Sequence, residues 1–128
     1  MLKIVEVHRA QHAAGEYVVL QNQGLMTVTL QGWALCTAAY LGGDPVSAAR
    51  EMFIFTQDVP IKPYTRVVLF TGEGVEGWQP TNDGKQAYVA YWRKREPVWT
   101  RTDRINLLQI ASTRRLAIEP EHAVVRTA

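Results

Sequence analysis

Glu16-Tyr17-Val18-Val19-Leu20-Gln21-Asn22-Gln23-Gly24, followed shortly by Val28-Thr29-Leu30-Gln31-Gly32-Trp33-Ala34-Leu35, is the stretch whose reading decides the fold. The first run is rich in aromatic and β-branched residues, and Gly15 and Gly24 bracket it, which marks a strand. In the second, Thr27 to Leu30 is a short strand, Gly32 is a natural turn or bulge position, and Trp33 to Cys36 resumes extended chain. The Trp33 ring is large enough to anchor a core between two sheets. Asn22 is a turn residue whose side chain can bond nearby backbone groups. Gly24 offers a positive φ, and Gly32 lets the chain bend so that Trp33 turns inward.

Alternation with a period of two recurs outward from this stretch. Leu2 and Ile4 share one side of an opening strand. Further strands are expected at 51–55, 65–71, 86–92 and 104–110, with a last one near 115–118 that Pro120 ends. Pro60 and Pro63 frame an exposed connection, and 72–84 reads as a loop holding four glycines, Pro80 and the turn Asn82-Asp83-Gly84. The pattern is lost over 37–50, where Val46 to Arg50 reads as a short helical turn. No segment sustains a period of 3.6. About eight short strands at spacings near ten residues indicate an antiparallel sandwich or barrel.

The chain has 128 residues, 47% hydrophobic and 20% charged, which fits one domain with its own core and excludes intrinsic disorder. Residues 1–120 are expected to form that domain, and 121–128 a loose tail. The uncharged stretch Met26 to Gly43 is too polar to span a bilayer, so no membrane insertion is expected. The single cysteine, Cys36, excludes an intrachain disulfide and a Cys-rich zinc site. Glu6 interrupts the N-terminal apolar residues, so no signal peptide is read there, and a cytoplasmic location follows if Met1 is the native start.

Few residues suggest chemistry. His8 and His12 would share a face on a helix, but they fall at a strand end and in a loop, with no acidic third ligand near. Cys36 lies in an apolar strand and reads as a small buried hydrophobe. Gly72 to Gly77 fits a Gly-rich phosphate loop only loosely, and its two glutamates would repel phosphate. No carboxylate pair has acid–base spacing. The expectation is a non-enzymatic protein with no cofactor, no metal and no evident small-molecule substrate.

The net charge of +2 is small, but its distribution is uneven. Within 85–115 eight basic side chains face only Glu96 and Asp103, a net of +6. Inside this region Tyr88 to Arg101 interleaves aromatic rings with cations. Tyr91, Trp92, Arg93, Lys94, Arg95, Trp99, Arg101 and Arg104 are the candidate binding residues. Such a surface can stack bases and neutralise phosphates, with Arg114 and Arg115 extending it. It can equally dock an acidic peptide. A third reading sends Tyr88 and Trp92 into the core and leaves Arg93, Lys94 and Arg95 on a solvated loop.

The order of motifs resembles the lamin-tail domain, an immunoglobulin-like module. Ile4-Val5-Glu6-Val7 matches its opening strand, and Glu16 to Gly24 its "E-[WY]-V-E-L-x-N-x-G" strand. Val28 to Leu35 matches its "V-x-L-x-G-W-x-L" element. Phe53 to Gly72 matches a strand, an exposed "I-x-P" turn and a "V-V-L-F-x-G" strand, and Trp99 stands before the last core strand. Val19 and Thr102-Asp103 depart from the family pattern. The resemblance implies an immunoglobulin-like antiparallel β-sandwich. It also implies a scaffolding or recognition role, through a protein partner or a homo-oligomer, using loops or a sheet edge, with nucleic acid as the alternative partner.

Overall fold

The structure, a computed structural model, describes residues 1–120; the tail expected at 121–128 lies outside the described residues. The fold is all-β with one short helix. In chain order the elements are β1 (Leu2–His8), β2 (Tyr17–Asn22), β3 (Val28–Thr29), β4 (Trp33–Cys36), α1 (Pro45–Arg50), β5 (Met52–Ile54), β6 (Pro60–Ile61), β7 (Arg66–Phe70), β8 (Gly77–Pro80), β9 (Gln86–Tyr91) and β10 (Asn106–Gln109). A five-stranded sheet runs β1-β2-β7-β9-β8, a three-stranded sheet β10-β4-β5, and β3 pairs with β6. Among the described residues no helix is long and apolar enough to cross a membrane.

The strands follow their side chains. Val18 and Leu20 of β2, Val67 and Leu69 of β7, and Tyr88 and Ala90 of β9 alternate onto one face and are buried. They share one apolar cluster with Trp33 and Leu35 of β4 and with Leu30, Phe55, Ile61 and Trp99. Each fully buried side chain of this size contributes about 1.5–3 kcal/mol relative to exposure. Trp33 is the core anchor expected. Gly32 carries φ +91° at the bend before it, its N–H donating to Phe55 O and its carbonyl accepting from Ile110 N.

Asn22 is fully buried with its hydrogen-bonding capacity filled. Its Nδ2 donates to the carbonyls of Met26 and Ile61, both at 2.9 Å, and its Oδ1 accepts from Gly24 N and from the Met1 ammonium. Gly24 does not take the expected positive φ. A side chain there would come within 2.7 Å of Met1 N, so close approach of backbone is what calls for glycine.

Four other expectations change. Pairing is antiparallel except between β7 and β9, which run parallel with Val67 opposite Tyr88. After β7 the chain crosses to the outer position, runs as β8, and returns between the two as β9. The expected loop at 72–84 therefore contains an edge strand, and the edge tolerates both Gly77 and Pro80. The connection framed by Pro60 and Pro63 contains β6, whose Ile61 is buried. The strand expected near 115–118 is absent: Leu116 and Ile118 are 88% and 91% exposed. Two alternating apolar residues recover too little burial to offset the entropy of ordering.

Candidate functional site

One buried carboxylate fixes the segment that follows β9. Glu16, just before β2, is fully buried. Its two oxygens accept from Thr71 Oγ1 at 2.6 Å, from the backbone N–H groups of Val98, Trp99 and Thr100 at 2.8, 3.1 and 2.8 Å, and from Thr100 Oγ1 at 2.6 Å. Burial pushes the carboxyl pKa up. The bonds from Thr100, Thr71, Val98 and Trp99 outweigh it and hold the pKa below its ordinary value. The other end is tied by Arg93 N–H to Gly72 O and Lys94 N–H to Thr71 O, with Arg93 in the left-handed region at φ 65°. The basic run is thus a held loop.

Pinned this way, the loop faces α1 across a groove of about 800 Å³. Arg93, Lys94, Arg95 and Arg101 line it from one side and Arg50 from the other, and Glu51 and Glu96 also line it. Asp44 caps α1 by accepting from Val46 N, and Pro45 opens the helix, which places Arg50 in the last turn. Both acids are engaged. Glu96 pairs with Arg101 at 2.6 Å, which holds its carboxyl below the usual range, and Glu51 accepts from Thr37 Oγ1 at 2.8 Å. Among the described residues Arg50, Arg93, Lys94 and Arg95 form no ion pair.

The sequence-selected residues separate. Arg93, Lys94, Arg95 and Arg101 come together in this groove. Arg104 does not; it lines a different hollow with Arg9, Asp103 and Ile4. Trp99 is not a contact residue: it is 0% exposed, in the core beside Trp92, with ring centroids 5.4 Å apart. Trp92 is half-buried against Phe53 and Trp99, with Lys94 Nζ 4.9 Å from its ring centre. Tyr91 lies on the opposite face of the sheet, stacked on Phe70. Strand alternation produces this split, because Tyr88, Ala90 and Trp92 face the core and Tyr91 cannot. Arg114 and Arg115 are exposed on chain without regular structure and do not line the groove.

Sequence reasoning missed Arg50 and Glu16. Glu16 reads only as the first residue of a strand motif, and the partners of each are distant in sequence. His8 stacks on Tyr17 at 4.7 Å and its Nδ1 lies 2.9 Å from Gly15 O. Cys36 is buried, and burial raises its thiol pKa. Among the described residues no group of three or more His, Cys, Asp or Glu is placed to hold a metal. No protein-family model, curated protein or solved structure matches the chain.

Proposed function

We propose that this chain is a non-enzymatic interaction module of immunoglobulin-like, lamin-tail type, and that it binds an acidic protein segment in the groove between α1 and residues 93–101. One observation carries the reading. Arg50, Arg93, Lys94 and Arg95 meet there without ion partners, while the aromatic residues of the same segment are engaged elsewhere. A single-stranded nucleic acid needs exposed rings on which bases stack. Trp99 has none of its ring in water, and Tyr91 faces away. An acidic peptide needs only the cations and the groove. The buried roles of Asn22 and Trp33 and the bend at Gly32 support the lamin-tail likeness, because they give those motif positions structural work.

The test is anisotropy titration of a labelled glutamate-rich peptide and of labelled single-stranded DNA, at low and moderate salt. The peptide is expected to bind, to weaken with salt, and to lose about tenfold or more in affinity in Arg93→Glu/Arg95→Glu. DNA bound more tightly than the peptide at moderate salt, and lost in that variant, would replace this reading with the nucleic-acid one.

A further inference from the structure

A second basic cleft lies at the far end of the five-stranded sheet, away from the groove. It forms where the turn before β7 faces the β8–β9 hairpin and has a volume of about 720 Å³. That is within the range of small-molecule sites, roughly 300–1,000 Å³. Lys62, Arg66 and Lys85 line it with the rings of Tyr64 and Trp78, and Asp83 is its one carboxylate. Asp83 is engaged inside its own hairpin turn, accepting from Thr81 Oγ1 and Lys85 N. Among the described residues the three cations form no ion pair.

Both rings are open to solvent, Trp78 held by a ring contact and Tyr64 by its backbone. Trp78 is 43% exposed. It meets Tyr88 edge-on at 5.4 Å, and Tyr88 is buried with its hydroxyl donating to Glu76 at 2.6 Å. Tyr64 is 61% exposed and sits at φ 65°, where a bulky residue is an outlier. Its N–H donates to Asn22 O, and its carbonyl accepts from Gln21 Nε2. A glycine would adopt this backbone without strain, and the tyrosine ring recovers little burial in return. Strain without a packing reason points to a role for the ring.

We propose that this cleft binds a mononucleotide-class ligand, a planar ring carrying phosphate. Tyr64 and Trp78 supply stacking faces, and Lys62, Arg66 and Lys85 neutralise the phosphates. A cleft with cations alone would take inorganic phosphate equally well. The two exposed rings, lining the same cleft as the cations, favour a ligand that has both parts.

Calorimetric titration of the whole chain with ADP, with pyrophosphate and with adenosine tests this. ADP is expected to bind more tightly than either fragment. Trp78→Ala is expected to weaken ADP by about tenfold or more while leaving pyrophosphate unchanged. Lys85→Glu, on the exposed hairpin and harmless to folding, is expected to weaken ADP and pyrophosphate alike. Three results would each overturn the proposal: no ADP binding at millimolar concentration, ADP and pyrophosphate binding equally, or an oligonucleotide binding where ADP does not.

Discussion

At the scale of single residues, two buried oxygens set opposite pH limits. Glu16 has a folded pKa below its ordinary value of 4.5. Its ionised form is the stabilising one, so its contribution is complete above pH 4.5 and is lost as pH falls through the folded value. Glu16→Gln places an amide N–H₂ among donors. It is expected to cost about 2–4 kcal/mol in urea unfolding and to flatten the acid limb of stability against pH. Tyr88 is the reverse case. Burial, with the bond to Glu76 and that carboxylate's charge, raises its hydroxyl to about 12 from 10.0. The neutral form is favoured in the folded state, so stability is intact below pH 10 and declines as pH rises toward about 12. Tyr88→Phe should remove that decline, as read by thermal melts in alkaline buffers. A Tyr88→Phe melt that falls as steeply as the parent would assign the alkaline loss to another group.

At the scale of elements, the segment from Trp92 to Arg101 separates into an apolar inside and a charged outside. Trp99→Ala should cost about 3–5 kcal/mol, because it empties a fully buried site in the shared core. Arg93→Glu/Arg95→Glu should leave the unfolding free energy within about 0.5 kcal/mol per site, because both side chains are exposed. Chemical denaturation of the two variants side by side checks this. Equal losses would mean that the basic loop is itself part of the stability core. Elements were legible where the signal is local. Alternation and bracketing glycines mark β2, and β-branched runs mark β7. The edge strand β8 was hidden because Gly77 and Pro80 read as breakers, and only the parallel return of β9 gives them a partner. Of the binding surface, sequence found the cations at 93–95 and 101, which lie within one short segment. It missed Arg50, which only the fold brings to them. It misplaced Trp99, because aromatic interleaving looks the same whether a ring faces solvent or core.

At the scale of the whole molecule, the two main sheets share one apolar cluster. Neither can loosen without exposing the other's inner face. Tryptophan fluorescence and far-UV circular dichroism should therefore report one coincident unfolding transition. Two separated midpoints would show that the sheets unfold independently. The three-stranded sheet adds a constraint of time. Its central strand, β4, is buried at all four positions and lies between β5, which follows soon after, and β10, near the end of the described chain. During synthesis one side of Trp33 to Cys36 has no neighbour until residues 106–109 leave the ribosome. Growing at ~5–20 residues per second, the nascent chain carries that open apolar ribbon for several seconds. A chain truncated before residue 106 is therefore expected to aggregate, as pelleting of the expressed fragment would show.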